Sequence, residues 1–130
     1  MPELRVSNVN KTFNGNKVLH DINFEVHDGE FFTLLGPSGC GKSTTLSCIA
    51  GLDKPDDGTI VFFSGKNNVF VPPEGRNLGM VFQSYALWPH MTIADNLALP
   101  LSLRKVPKVR RNELIDDALD KVDLLHLRSR

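Results

Sequence analysis

The sequence predicts an α/β fold: an antiparallel β subdomain, a partial core built from a strand, a glycine-rich loop and a helix, and the start of a helical subdomain. Three patterns carry this prediction. Apolar and polar residues alternate over 22–26, as in a half-buried strand. The apolar run 31–35 leads through the loop into a helix-compatible stretch, 42–50, with a natural stop at Gly51. Later in the chain, apolar residues recur at helical spacing at Leu114, Ile115, Ala118, Leu119, Val122 and Leu125.

Length and composition narrow the class of protein. The chain has 130 residues, 41% of them hydrophobic, which suits one domain with its own core. Its 15 basic and 15 acidic residues balance, so a broad nucleic-acid-binding face is not expected. The apolar runs are far shorter than the ~20 residues of a membrane-spanning helix, and the first residues lack the pattern of a secretory leader. We therefore expect a cytoplasmic protein.

The antiparallel part comes first in the chain. Residues 4–6 open one strand, and Asn14-Gly15 marks the turn that leads to the strand over 22–26. A turn cluster, 54–58, then leads into a further strand over 59–63.

A parallel core sheet is expected to begin beside that part. After a polar stretch, 64–75, residues 78–82 have the continuous apolar character of a strand buried on both faces, which ends at Gln83. The run 31–35 has the same character. We expect both to be core strands.

Two helices follow. Thr92 with Asp95 three residues on forms a variant of the capping box, and we expect Pro100 to end that helix. The apolar series from Leu114 to Leu125 predicts a second helix, whose charged residues are expected to form a solvated face.

The glycine-rich loop is the most informative motif. The run Gly36-Pro37-Ser38-Gly39-Cys40-Gly41-Lys42-Ser43-Thr44 fills every fixed position of the phosphate-binding pattern G-x-x-x-x-G-K-S/T. Its glycines lack Cβ atoms, so the backbone can adopt positive φ values and bring successive N–H groups close to a phosphate. Lys42 can reach the β- and γ-phosphates, and the Ser43 hydroxyl can ligate Mg²⁺. The loop therefore predicts a site for a nucleoside triphosphate and Mg²⁺.

Cys40 lies inside this loop. A helix N-terminus and Lys42 lie next to it, so we hypothesise that alkylating reagents modify it. The alternative is an inert small side chain at a variable position. No metal-ligand partner accompanies Cys40 or Cys48 at a recognisable spacing, so a zinc site is not expected.

Three stretches resemble one protein family. The chain looks like the first half of the nucleotide-binding domain of an ATP-binding cassette (ABC) transporter, and resembles the ATPases of maltose, polyamine and ferric-ion importers. The resemblance rests on residues 8–13, on the loop with its flanks 29–31 and 49–52, and on 79–92. It implies a partial P-loop NTPase core over 1–91 and the start of a helical subdomain over 92–130.

The resemblance also implies roles for individual residues. Phe13 would stack on adenine, Gly36 to Thr44 would hold the phosphates of ATP, and Gln83 would be the Q-loop glutamine. Ser43 and Gln83 would then ligate Mg²⁺. An aromatic face can stack on any base, and an amide oxygen can ligate a metal or orient water. For Phe13 the alternative is an ordinary core side chain, since Phe is among the most often buried residue types.

Partners are implied as well. In this family the segment after the glutamine meets a transmembrane permease subunit, which places that contact at Tyr85 to Thr92 and the protein on the inner face of the membrane. Tyr85 and Trp88 are candidate anchors, since aromatic residues are enriched at interface hot spots. Burial within the subdomain is the alternative for Tyr85, and a simple hydrogen bond is the alternative to a pH-sensitive contact for His90. An ATP-dependent homodimer is also implied.

Other family motifs are missing from these residues. There is no Leu-Ser-Gly-Gly-Gln signature, no Walker B strand with a catalytic Glu, and no switch histidine, since the histidines at 20, 27, 90 and 126 lie in other regions. The sequence thus predicts a truncated or partial cassette with weakened nucleotide binding and negligible hydrolysis by itself. A non-catalytic remnant and a soluble, non-transport ABC ATPase remain as alternatives. The transported solute is not readable from the sequence.

Overall fold

The computed structural model describes residues 3–64, 67–69, 71–76 and 78–130. They belong to two compact units, Met1–Met80 and Val81–Arg130. The assignment of domains to 1–91 and 92–130 stays a prediction.

The first unit is built on an antiparallel sheet. Its strands are β1 (Glu3–Phe13), β2 (Asn16–Val26), β3 (Asp57–Ser64) and β4 (Asn67–Val69), in the spatial order β2-β1-β3-β4. Each neighbouring pair is antiparallel. The predicted antiparallel part is therefore confirmed, and the predicted strand over 59–63 forms the centre of β3.

A two-residue turn joins β1 to β2. Asn14 and Gly15 have φ values of 49° and 81°, and Phe13 pairs with Asn16 across the turn. Two consecutive positive φ values give a turn whose twist matches the right-handed twist of the two strands it joins, and Asn-Gly is the dipeptide that adopts them most readily. The local sequence thus determines the register at this end of the sheet.

Helix α1 (Lys42–Ala50) packs on the sheet, as its buried residues show. The core contains three valine and leucine side chains from β1 and β2, one thiol from α1 and two large side chains from β3: Val6, Val9, Leu19, Cys48, Ile60 and Phe62. Burying such side chains is worth about 1.5–3 kcal/mol each. The helix ends where the sequence predicts, at Gly51 in the left-handed conformation, whose N–H donates to the Cys48 carbonyl.

The two expected core strands are absent from the described residues. Neither 31–35 nor 78–82 is part of a strand, and Phe31, Leu35 and Val81 are 94–95% exposed. The apolar pattern describes the environment a strand prefers, whereas a strand also needs a neighbour to receive its hydrogen bonds. Within the described ranges no such neighbour pairs with either run, so the expected parallel pairing is wrong for this structure.

The second unit contains two helices, α2 (Ile93–Leu103) and α3 (Lys108–Asp120). The predicted cap of α2 is confirmed, because the Asp95 N–H donates to Thr92 Oγ1 at 3.1 Å. The prediction that Pro100 ends α2 is wrong. Pro100 lies inside the last turn and the helix continues to Leu103, since a proline near the end removes only one helical N–H and its own carbonyl still accepts from Arg104.

Helix α3 buries Ile115 and Leu119, which confirms the predicted apolar face. It ends at Asp120, earlier than the apolar series suggests, and Val122 is 59% exposed. After a short 3₁₀ turn (Leu125–Leu127), the Arg128 guanidinium bonds the Asp116 carboxylate at 2.6 Å. Neither helix, nor any other in the part of the chain that the structure describes, is long and apolar enough to cross a membrane.

Candidate functional site

The glycine-rich loop, residues 36–44, leads into α1 through Gly41. This residue is the N-cap of the helix with φ of 91°, a conformation that costs little only for glycine. A Cβ atom at this position would lie 2.6 Å from the Leu19 side chain and 3.0 Å from the Val18 carbonyl oxygen. Strand β2 therefore packs directly against the end of the loop, and only glycine fits at position 41.

The other two loop glycines act in different ways. Gly39 has φ of 81°, as predicted for the loop. Gly36 has an ordinary φ, so the expectation of positive φ is wrong there; a Cβ at this position would lie 2.6 Å from Cys40 Sγ. Gly36 is thus required for space and Gly39 for conformation.

Lys42 folds back over the loop. Its ammonium donates to the carbonyl oxygens of Gly36 and Pro37, both at 2.7 Å, and lies 3.5 Å from Cys40 Sγ. These contacts hold the positive charge against the backbone of the loop itself. The loop N–H groups and this ammonium are the groups that a phosphate needs as partners.

The first turn of α1 presents one hydroxyl to solvent and buries another. Ser43, the predicted Mg²⁺ ligand, is exposed. Thr45 is 5% exposed, and its hydroxyl donates to the Gly41 carbonyl at 2.9 Å. Thr45 is not among the residues predicted from the sequence, although a threonine four residues after the N-cap position is a signal for this bond.

Phe13 lies at the end of β1 and is 40% exposed. The Lys11 ammonium lies 5.1 Å from the centre of its ring, and bonds the Asp56 carboxylate at 3.0 Å. Asp56 also accepts the Thr12 N–H at 2.6 Å. These hydrogen bonds lower the pKa of Asp56, first the one from Lys11 and then the one from Thr12. The exposure of the Phe13 ring does not suit the alternative that it is an ordinary core side chain. The Asp56 carboxylate holds the backbone at Thr12, next to Phe13.

Gln83 lies in the second unit, where it is exposed. The structure leaves its amide open to a ligand. Its role toward Mg²⁺ and the loop stays a prediction.

The segment from Tyr85 to Thr92 exposes large side chains. Tyr85, Leu87 and Trp88 are 81%, 67% and 53% exposed, which contradicts burial of Tyr85 within its unit. Tyr85 and Ala86 have φ of 63° and 49°, and non-glycine residues rarely adopt such values. The backbone here holds an aromatic side chain away from its own core.

Asn96 of α2 holds the backbone of residues 88–92 in place, a role that was not predicted from the sequence. Its amide oxygen accepts the Trp88 N–H at 2.8 Å, and its amide nitrogen lies 2.9–3.3 Å from the carbonyls of Trp88, Met91 and Thr92. One side chain thereby replaces the backbone partners that the turn lacks.

A cavity of about 600 Å³ adjoins the loop on the sheet side. Lys42 and Ser43 are among its lining residues, but most of the lining is apolar and includes Phe24, Phe32 and Leu46. Phe13 does not line it. A triphosphate needs polar partners along its whole length, so this cavity is not the phosphate site.

Comparison with known proteins identifies the family. Residues 19–130 match the sequence profile described as ABC transporter. The chain belongs to the ABC transporter family. Among its curated relatives, a spermidine/putrescine import ATP-binding protein of Marinobacter nauticus is 50% identical over 121 residues, which is 93% of this chain and 32% of that protein. A trehalose/maltose import ATP-binding protein of Thermococcus litoralis is 44% identical over 135 residues, covering all of this chain and 36% of that protein.

Solved structures of this family share the fold. One is an ATP-binding cassette captured as a dimer in a post-hydrolysis state with ADP and Pi; it is 26% identical, with a TM-score of 0.77 over 98% of this chain and 60% of its own. Another is a component of an ABC transporter complex from Clostridium perfringens, with a TM-score of 0.70 and the same identity. The chain therefore has the partial P-loop NTPase fold that the sequence predicts. It spans about a third of the length of the curated relatives it matches.

Proposed function

We propose that residues 36–44 bind the phosphates of ATP. The observation that supports this most directly is the opening of α1, where Gly41 caps the helix in a left-handed conformation and the Lys42 ammonium rests on two loop carbonyls. The first N–H groups of a helix have no acceptor within it, and the positive end of the helix dipole favours an anion there. A phosphate would satisfy these donors and draw the ammonium from the loop carbonyls.

The residues present also fit Mg²⁺. This hard cation prefers oxygen ligands, and the exposed Ser43 hydroxyl lies in the same turn as the loop N–H groups. The amide oxygen of Gln83 would be a second ligand. When bound, the metal would neutralise charge on the phosphate oxygens.

We propose that Phe13 stacks on adenine. Its ring is 40% exposed and so can offer a face to a base. Stacking does not read the edge of a base, so this contact adds affinity more than specificity.

The whole protein is proposed to be the ATP-binding subunit of an importer. This rests on the family and on relatives that are import ATP-binding proteins. We propose that Tyr85 to Thr92 contact a transmembrane permease on the cytoplasmic face of the membrane, and that ATP promotes a homodimer, since one solved relative is dimeric. Residues 1–130 carry no signature motif or catalytic glutamate at its expected place, so we expect them to bind ATP without appreciable hydrolysis.

Thermal unfolding with and without Mg-ATP tests the binding proposal. A ligand at 100 times its dissociation constant stabilises the folded state by about 2.7 kcal/mol, so the melting temperature should rise. Lys42→Ala should abolish the rise, whereas Lys108→Ala, at an exposed lysine on α3, should keep it. AMP, which lacks the β- and γ-phosphates, should have little effect. Equal shifts in wild type and Lys42→Ala would contradict the proposal, and no shift in either would favour the non-catalytic remnant.

Purification from membranes tests the importer proposal. An importer subunit should copurify with a permease, and the double substitution Tyr85→Ala/Trp88→Ala should reduce the recovered permease while leaving the Mg-ATP shift intact. A soluble, non-transport cassette would copurify with no membrane protein.

A further inference from the structure

A buried arginine caps the far end of the phosphate-binding helix. Arg76 is 9% exposed, and its guanidinium donates through one terminal nitrogen to the carbonyl oxygens of Cys48 and Ile49, at 3.0 and 2.7 Å. Both carbonyls belong to the last turn of α1, where helical hydrogen-bond partners run out. Sequence patterns gave no hint of this contact, which joins positions 28 residues apart.

The rest of the side chain is held as firmly. Nε of Arg76 donates to the Val71 carbonyl at 3.0 Å, and the guanidinium lies 5.3 Å from the centre of the Phe62 ring. Burial lowers the pKa of Arg76. Within the described ranges its hydrogen-bond partners are backbone carbonyls, so the charge is balanced by oxygen lone pairs and by the negative end of the helix dipole.

Helix α1 is short enough for its two ends to act together. It has nine residues, or about 13 Å of length, with the loop at one end and Arg76 at the other. Gly51 leaves the helix in a left-handed turn, and its N–H shares the Cys48 carbonyl with Arg76. A cation at the carboxyl end and an anion at the amino end would each stabilise the same dipole.

We propose that Arg76 is a positioning residue for the nucleotide: it fixes the axial position of α1 from its carboxyl end and so presents the N–H groups of the loop in the geometry that phosphate needs. The inference rests on the proposed ATP binding. In this proposal Arg76 acts through α1 and does not itself contact the nucleotide. Because coupling is reciprocal, phosphate at one end should also tighten the capped turn at the other.

Calorimetry of Mg-ATP binding by the purified protein tests this inference. Arg76→Gln should weaken binding ~5- to 10-fold at a temperature where the variant is folded, which is the lower range of ordinary coupling between sites. Arg76→Lys, which keeps the charge but lacks the Nε–H group that bonds the Val71 carbonyl, should weaken it less. The matched control is Val9→Ala, which loosens the same core from β1 and removes none of the hydrogen bonds of Arg76. It should bind as wild type at an equal loss of melting temperature.

Two results would overturn the inference. One is wild-type affinity in Arg76→Gln; the other is an equal loss of affinity in Arg76→Gln and Val9→Ala, which would mean that the effect is general destabilisation. If wild type itself bound no Mg-ATP, the proposed function would fail first and this inference with it.

Hydrogen exchange gives a test that needs no variant. The Gly51 and Leu52 N–H groups donate to the carbonyls of Cys48 and Ser47 at the capped end. Mg-ADP should slow their exchange along with that of Thr45 at the loop end. Slowing at Thr45 with no change at Gly51 and Leu52 would show that the two ends are not coupled.

Discussion

At the scale of single residues, the charge and exposure of individual side chains predict how substitutions change stability, thiol reactivity and side-chain mobility. Asp56 illustrates the electrostatic part. The Lys11 ammonium and the Thr12 N–H favour its carboxylate, so its pKa is lower in the folded chain than the usual ~3.9 of an unfolded aspartate. Its contribution to stability is therefore fully present above about pH 4 and is lost as the pH falls through the lowered pKa.

We predict that Asp56→Asn lowers the unfolding free energy at pH 6, and that the difference from wild type shrinks on acidification to pH 3.5. Urea unfolding at both pH values measures it. Lys11 and Asp56 are partly exposed, so added salt should also reduce the effect. A difference that grows as the pH falls would show that the sign of the pKa shift is wrong.

The two cysteines should differ in reactivity. Cys40 is exposed in the loop, whereas Cys48 is 1% exposed and burial raises the pKa of its thiol. We predict that N-ethylmaleimide modifies one thiol of the folded protein, that Cys40→Ser removes it, and that Mg-ATP slows the reaction. Mass spectrometry with time gives the rates. No labelling of Cys40 would favour the inert alternative, and equal labelling with and without nucleotide would argue against phosphate in the loop.

Asn96 should control the shape of the proposed permease contact. Its side chain bonds the backbone of Trp88 in both directions, so Asn96→Ala leaves a donor and an acceptor without partners. We expect the fluorescence anisotropy of Trp88, the one tryptophan of the chain, to fall and permease recovery to drop. Asn112→Ala on α3 is the matched control. Unchanged anisotropy in Asn96→Ala would mean that Asn96 does not order this segment.

At the scale of elements, the sequence predicted correctly those features that depend on interactions between neighbouring residues. The Asn14-Gly15 turn, the Gly51 end of α1 and the Thr92 cap all appear where the sequence places them. Each depends on residues within a few positions of one another. The runs 31–35 and 78–82 show the opposite case, since their apolar pattern is local but strand pairing is not.

The same distinction applies to the site. The loop could be predicted from the spacing of its residues, because its glycines and the carbonyls that Lys42 contacts all lie within the same nine residues. Arg76 and Asn96 could not be read, since each acts on backbone carbonyls that carry no sequence signature. The Thr45 bond differs, because it lies within one helical turn and a threonine four residues after the N-cap is a local signal for it.

Pro100 offers a test of the element whose end was predicted wrongly. It lies inside α2 and is exposed, and its ring cannot donate to the Asn96 carbonyl one turn earlier. We predict that Pro100→Ala raises the unfolding free energy by about 1 kcal/mol, because alanine restores that bond and has a far higher helix propensity. Urea unfolding followed by circular dichroism measures this. Lower stability in Pro100→Ala would mean that proline is needed to shape the end of α2.

At the scale of the whole molecule, the chain combines the proposed phosphate-binding loop with exposed apolar surface. Phe31, Leu35 and Val81 are almost fully exposed, and the apolar cavity beside Lys42 lies on the same unit as the first two. Exposed apolar surface of this kind promotes association. The site's polar geometry and this uncovered surface are separate properties, so nucleotide binding has to be measured on protein shown to be monodisperse.

Calorimetric titration of Mg-ATP into the purified 130-residue chain is the decisive test of ATP binding by residues 36–44. We predict saturable binding with one site per chain, lost in Lys42→Ala and retained in Lys108→Ala, because the Lys42 ammonium and the N–H groups at the start of α1 form the proposed phosphate site. Binding that survives in Lys42→Ala would contradict the assignment of the loop, and monodisperse wild type that takes up no Mg-ATP would contradict the proposed function.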